Sequence, residues 1–221
     1  MVIIKLFRKE GPVIYEKFHA LALEKQERII NAAMKEFTAS GYKKASTNMI
    51  ISEADISKGS LFKYFHHKKG MYFFLLDYAV SVVETIYSEI DYSETDLFDR
   101  LSRIGRIKFR IQQAHPQVFE FLLSAHEEKA EEIRKEKEHK MAAVRERGFS
   151  FVYEGIDFSK FRDDIDTGKA VEILNWSMTG FAEQEIRQMG DEKKITEEQF
   201  TKWEEYAALL RKCFYKEPSG E

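Results

Sequence analysis

The chain has one cysteine, three prolines and eleven glycines in 221 residues. No stretch of it approaches the roughly 18 uninterrupted apolar residues that a membrane-spanning helix needs. Each shortage excludes something. The single thiol, Cys213, cannot close an internal disulfide, so the chain reads as suited to a reducing compartment. With so little proline and glycine, and with Leu, Ala, Glu and Lys recurring at helical spacing, an all-α fold is predicted. Met1 to Leu6 is apolar, but Lys5 interrupts it and Arg8, Lys9 and Glu10 follow without a small-residue cleavage site, so it does not read as a secretory signal. The expectation is a cytoplasmic protein with no membrane partner.

Reactive constellations are equally scarce. Paired carboxylates, Ser/His/Asp or Cys/His sets and phosphate-cradling glycine loops are missing, so neither an enzyme nor a cofactor is expected. His66 and His67 are adjacent, and on a helix they would diverge by about 100° rather than share a metal. His115, His126 and His139 lack ligand spacing and read as surface or capping residues; no metal site is expected. Cys213, near the end of the last helical segment, reads as a buried apolar thiol.

The formal net charge of −3 conceals an uneven distribution. Glu24 to Lys69 holds nine Lys or Arg against five acids, a net of +4, which leaves −7 for the remainder. That is the pattern of an anion-binding module joined to an acidic body.

Periodicity divides the chain further. Gly11-Pro12 breaks the first segment, and residues 1–23 read as an arm or short extra helix. From Glu24, the residues Ile29, Ile30, Ala33, Met34 and Phe37 mark one face of a helix that Gly41 can end. Ser46 or Thr47 can cap a short helix with Ile50, Ile51 and Ala54 on its inner side. After Asp55-Ile56, Ser57 can cap a second short helix whose Leu61, Phe62 and Phe65 are apolar, Leu61 and Phe65 facing inward, and whose exposed remainder is Lys58, Gly59, Ser60, Lys63 and Tyr64. Two short helices joined by a tight turn make a helix-turn-helix. A longer helix is predicted from Lys68 to about Ile90, and others at Thr95 to Gln113 and Pro116 to His126. The charged run Glu127 to Arg147 offers i,i+4 pairs such as Glu131 with Lys135 and Glu136 with Lys140, and reads as a solvated helix reaching Tyr153. A loop is expected from Glu154 to Gly168, before two last helices at Lys169 to Gln188 and Thr196 to Tyr215.

The block Ser57-Lys58-Gly59-Ser60-Leu61-Phe62-Lys63-Tyr64-Phe65, with Lys68 and Lys69 after it, resembles the recognition helix and following helix start of TetR-type transcriptional regulators. Ala33, Phe37 and Gly41, and Ala45-Ser46-Thr47 through Ala54, extend the resemblance over about Glu24 to Leu76. It departs from the family pattern at Asp55, where glycine is usual in the corner, at Ala45 for a common threonine, and at Met49 for a common polar residue. The side chains suit the same task. Short or flexible donors at Ser57, Lys58, Gly59 and Ser60 let a helix sit deep in the major groove, while Lys63, Tyr64 and Lys68 can reach phosphates. By resemblance, Lys44, Thr47 and Asn48 would touch the backbone or groove edge.

The resemblance also implies a three-helix DNA-binding head at 24–69 and a larger helical ligand-binding and dimerisation domain at 70–216, with 217–221 as a tail. A repressor is implied, released from DNA when a small, apolar effector binds between helices; Phe109, Phe119 and Trp176 are the candidate ligand contacts. The alternative is a helical small-molecule-binding or scaffold protein with a degenerate head. A palindromic double-stranded operator requires paired heads, hence a homodimer. Phe200, Trp203, Ala207, Leu210 and Phe214 form a seam at three- and four-residue steps, and Ile173, Ser177 and Gly180, with Ala170, a small-residue stripe; both are assigned to the dimer interface.

Overall fold

The computed structural model describes residues 15–188 and 196–217. Gly11-Pro12, the apolar segment Met1 to Leu6 and most of the tail lie outside the described residues. The described chain is helical, with ten α-helices and no strand beyond an isolated bridge between Phe161 and Tyr215. It divides into two compact units.

The first unit holds the described residues up to Thr85 together with His115–Arg145. It contains α1 (Glu16–His19), α2 (Leu23–Lys44), α3 (Thr47–Glu53), α4 (Lys58–Phe65), α5 (Lys68–Glu84), α7 (Pro116–Glu127) and most of α8 (Glu131–Tyr153). The predicted inner face of α2 is buried at Ile29, Ile30, Ala33, Met34 and Phe37. Regular helix stops at Gly41, whose φ of 67° lies in the left-handed region that glycine adopts without a Cβ penalty. A Cβ there would stand 3.1 Å from Glu128 Oε2, which instead accepts the Tyr42 backbone N–H at 2.6 Å. The Tyr42 hydroxyl donates to Glu132 at 2.6 Å; burial first, then this carboxylate, push its pKa upward.

Helix α5 is apolar nearly all round, with Met71 to Leu76 buried without a break, as befits a helix at the centre of its unit. It ends at Glu84, short of the expected Ile90, and a 3₁₀ turn at Tyr87–Glu89 follows. Pro116 opens α7, where its missing N–H costs nothing. At the other end of α7 the buried Lys137 ammonium donates to the Ala125 and Glu128 carbonyls at 2.7 and 2.6 Å, satisfying acceptors the helix leaves open. The charges of α8 do not pair along the helix as expected. Glu136 reaches Lys69 and Lys140 reaches Asp77, so that both tie α8 to α5, while Glu131 pairs with Arg134.

The second unit holds Ile86–Ala114 and the described residues from Glu146 onward. It contains α6 (Leu97–Ala114), the end of α8, α9 (Thr167–Gln188) and α10 (Glu197–Phe214). Its core gathers Leu97, Phe98, Leu101, Val152, Ile156, Phe161, Ala170 and Leu174. Two buried charges organise it. Among the described residues the Arg100 guanidinium has no carboxylate partner; it donates to the carbonyls of Tyr92, Glu94, Val152 and Glu154, joining the approach to α6 to the end of α8. Asp96 accepts the Phe98 and Asp99 N–H groups at 3.0 and 3.2 Å, capping α6, and its other oxygen receives Lys160 at 3.1 Å and Arg211 at 3.0 Å.

Burial alone would raise the Asp96 pKa, but the Asp99 N–H and the two cations outweigh it and hold the carboxyl below the usual value. A carboxyl depressed in the folded state stabilises the fold above its unfolded-state pKa, and that contribution vanishes as pH falls through the folded value. Asp96→Ala should therefore cost about 2 kcal/mol near neutral pH, the upper range for a lost cap, because both cations keep contact with water. Urea unfolding followed from about pH 6 to about pH 3 should show a shallower acid loss in the variant than in the parent chain. Equal acid slopes would exclude Asp96 as the titrating group.

Candidate nucleic-acid interface

Local chemistry builds the two short helices as expected. Ser46 caps α3 by accepting the Met49 N–H at 3.4 Å, and Ser57 caps α4 by accepting the Ser60 N–H at 3.2 Å while its hydroxyl also bonds that of Ser60 at 2.9 Å. Each cap satisfies one of the N–H groups that a helix start leaves unpaired. Glu36 reaches from α2 to accept the Ser46 N–H at 2.8 Å, a brace the sequence reading did not include. In the corner, Asp55 takes the left-handed conformation with φ 49°, as its side chain tolerates, and Arg28 donates to the Ala54 carbonyl at 2.8 Å.

The inner face of α4 is held by an aromatic cluster. Phe65 stands 5.2 Å from Phe18 and 5.0 Å from Phe74 between ring centroids, and Phe18 and Phe74 stand 4.7 Å apart. Tyr15 closes the cluster against Phe74 at 4.8 Å and donates to the Gly70 carbonyl; burial, then Asp77 and Glu136, push its pKa to about 12. The stretch before α2 is thus part of the head's core. Leu61 is buried, and so is Tyr64, which is only 7 % exposed with its ring near Phe18. This corrects the expected exposure of Tyr64. Position 64 lies about 60° from Leu61 around the axis, just as position 62 lies about 60° from Phe65, and the Phe18 ring beside Tyr64 decides which of the two is covered.

The remaining expected contacts lie at the surface. Lys44, Asn48, Ser57, Lys58, Gly59 and Lys63 are exposed, and Thr47, Ser60 and Lys68 are half-buried. The Lys68 ammonium donates to the Lys43 carbonyl at 3.0 Å and sits over the Tyr42 ring. His67 is the N-cap of α5, with Nδ1 accepting the Gly70 N–H at 2.8 Å. Gly70 must be glycine for a steric reason, since a Cβ would lie 2.4 Å from the Phe65 carbonyl oxygen. Two apolar side chains join this surface unforeseen: Phe62, 38 % exposed, and Met49, 57 % exposed. Among the described residues no group of three or more His, Cys, Asp or Glu is placed to hold a metal, and no helix is long and apolar enough to cross a membrane.

Elsewhere the placements differ more from expectation. Phe119 is buried in the first unit, whereas Phe109 is half-buried and Trp176 is 68 % exposed in the second, so Trp176 does not line an interior site. A cleft of about 230 Å³ in the second unit, bordered by Ile90, Arg103, Ile104 and Ile107, includes none of the three. The seam of α10 is used inside its own unit: Trp203, Ala207, Leu210 and Phe214 pack on the core, and the Phe200 ring lies on α6 at Gly105. The three-and-four spacing correctly signalled a packed helix, and its partner is α6. Facing outward instead are Ile173, Trp176 and Gly180 on α9 and Tyr206, Leu209 and Cys213 on α10, with Ser177 half-buried; Cys213 is exposed, against expectation.

The two capped short helices and the corner between them make a helix-turn-helix. Residues 29–73 match the family model of bacterial regulatory proteins, tetR family. Solved structures agree in fold along most of the chain. A TetR-family transcriptional regulator from Chloroflexus aurantiacus is 21 % identical, with a TM-score of 0.61 over 91 % of this chain and 98 % of its own. The ketosteroid transcriptional regulator KstR2 of Mycobacterium tuberculosis is 19 % identical, with a TM-score of 0.59 over 89 % and 97 %. The TetR-family regulator PfmR of Thermus thermophilus is also 19 % identical, with a TM-score of 0.57 over 88 % and 98 %. No curated protein matches the sequence. Over residues 29–73 the chain is thus similar to bacterial regulatory proteins of the tetR family, and it shares the fold of TetR-family transcriptional regulators.

The cap at Ser57 is open to a direct test. Ser57→Ala removes both of its bonds to Ser60 and should destabilise the head by about 1 kcal/mol in urea titrations. A change indistinguishable from zero would mean that α4 is set by its buried face alone.

Proposed function

We propose that the chain is a ligand-responsive transcriptional repressor that binds a palindromic operator as a homodimer and releases it when a small, apolar effector occupies the helical body. DNA recognition falls to residues 24–69, and effector binding and dimerisation to 70–216. The observation that carries the reading is α4 itself. Its inner face is fastened by Leu61, Tyr64 and Phe65, and its outer face presents Lys58, Gly59 and Lys63 beside the cap at Ser57. A helix so presented fits the major groove, with Ser57 and Ser60 near base edges and Lys44, Lys58, Lys63 and Lys68 positioned for phosphates. Lys68 braces the end of α2 as well, so its contribution is to position the head and to add positive charge. Tyr64 can offer only its hydroxyl, the ring being buried.

For the dimer, the exposed apolar stripe supports an assignment to Ile173, Trp176, Tyr206 and Leu209, with Ser177 and Gly180 allowing close approach. These four large side chains are 42, 68, 48 and 59 % exposed, an apolar surface of the kind that a second subunit covers. The isologous contact pairs the two heads for a two-fold symmetric site.

Fluorescence anisotropy of the full chain on duplexes from its own upstream region, at rising salt, tests the DNA-binding reading. Affinity should fall linearly on logarithmic axes, and Lys63→Ala should reduce the slope by about 0.9, one phosphate contact. The absence of salt-sensitive binding to any duplex would end the proposal. The combined substitution Trp176→Glu and Leu209→Glu should give monomers in light scattering and weaken operator binding. Persistence of the dimer would place the interface elsewhere.

A further inference from the structure

Helix α4 presents an arrangement that a purely polar reading surface would lack. With 100° between successive residues, its buried arc holds Tyr64, Leu61 and Phe65, and its outward arc holds Lys58, Phe62, Gly59 and Lys63 in angular order. Phe62 therefore stands on the outward arc between Lys58 and Gly59, about 40° from Lys58 and about 60° from buried Phe65. It is 38 % exposed while the other apolar residues of the helix are at most 7 % exposed. Beside it Gly59 carries no side chain, and a Cβ there would find only Ser57 Oγ, at 4.0 Å, within reach. The ring is thus flanked by bare backbone on one side and by lysine on the other.

We infer that Phe62 is a specificity-determining residue that reads the C5-methyl group of thymine in the major groove. The inference rests on the DNA-binding reading above and goes beyond it in naming what one side chain recognises. A phenyl ring has neither donor nor acceptor, so it cannot hydrogen-bond a phosphate or a base edge. The only apolar group that a base presents on its major-groove edge is the thymine methyl. Lys58 and Lys63, on either side of Phe62, draw the ring toward DNA and supply charge without sequence preference. Met49, exposed in the first turn of α3, adds a second apolar group to the same helix-turn-helix. An operator half-site with thymine under α4 follows.

The full chain is used to select tight-binding duplexes from a random-sequence pool, and each thymine of the selected duplex is then replaced in turn by deoxyuridine. Uracil keeps every hydrogen-bonding group of thymine and loses only the methyl. At one position in each half-site the replacement should weaken binding about fourfold, the scale of one buried methylene, and about fifteenfold when both half-sites are changed. In Phe62→Ala the same replacements should have no effect; its side chain is partly exposed, and a retained cooperative melting transition shows that the head remains folded. Met49→Ala should retain the penalty at that position. Insensitivity of every thymine to uracil, or a penalty that survives in Phe62→Ala or disappears only in Met49→Ala, overturns the inference while leaving DNA binding intact. Failure to select any duplex removes the DNA-binding reading and this inference together.

Discussion

An eight-residue helix is too short to persist in water on its own, so everything α4 offers to a partner depends on how its inner face is packed. Leu61, Tyr64 and Phe65 span about 100° of the helical circumference, and the rings of Phe18 and Phe74 meet Phe65 from two other elements. Rings held in tilted contact at about 5 Å allow little rotation of the helix about its axis. The outward arc is consequently a by-product of the inward one. Lys58, Gly59, Phe62 and Lys63 face solvent because the remaining positions are taken. The short stretch from Tyr15 to His19 matters here although it precedes the first long helix, since Phe18 would otherwise leave a void beneath the reading surface.

The corners of the head are set by different means, each matched to local crowding. Gly41 takes a left-handed turn where a Cβ would press on the Glu128 carboxylate, and Gly70 gives way to the Phe65 carbonyl. Asp55 adopts a left-handed turn as well, with the preceding carbonyl held by Arg28. The consequence at Gly41 reaches furthest. Because the helix kinks there, the Tyr42 N–H meets the carboxylate of Glu128, just past α7, and its hydroxyl that of Glu132 at the start of α8, so the end of α2 is joined by two bonds to the corner that follows α7. Lys137 secures that same corner from the other side. A displacement of α8 within the first unit would therefore be felt directly at the end of the first head helix.

Local signals were readable in advance and longer-range ones were not. Ser46, Ser57, Gly41 and Pro116 act on their nearest neighbours through backbone geometry, so their roles follow from the sequence alone and hold in the structure. The exchange between Tyr64 and Phe62 shows the limit. Both are aromatic, two residues apart on a helix with four apolar positions in five, and the choice of which turns inward falls to Phe18, an element with no local link to α4. The seam of α10 fails in a related way: spacing reports that one face of a helix is covered, but carries no information on whether α6 or a second subunit covers it. Glu136 and Lys140 of α8 pair with α5 rather than along the helix because Lys69 and Asp77 stand close enough to compete, which only the folded chain determines. Trp176 misled because a large aromatic is more often core than surface, and its exposure points to an interface rather than a pocket.

The two units solve the same difficulty, the burial of charge, with different chemistry, and the difference bears on what each can do. In the second unit Arg100 is neutralised only by carbonyl dipoles and Asp96 by N–H groups and two cations, so both sit in networks whose partners come from separate stretches of chain. Loss of any one partner leaves a buried charge under-satisfied, which makes such networks costly to disturb and suited to holding α6, the end of α8 and α10 in one arrangement. In the head, by contrast, the lysines of the outward arc of α4 remain at the surface, and the core beneath them is almost wholly apolar and aromatic. Positive charge is thus left exposed on the outward arc of α4, whereas Lys137 in the first unit and Arg100 in the second are spent internally on the carbonyls of separate stretches of chain.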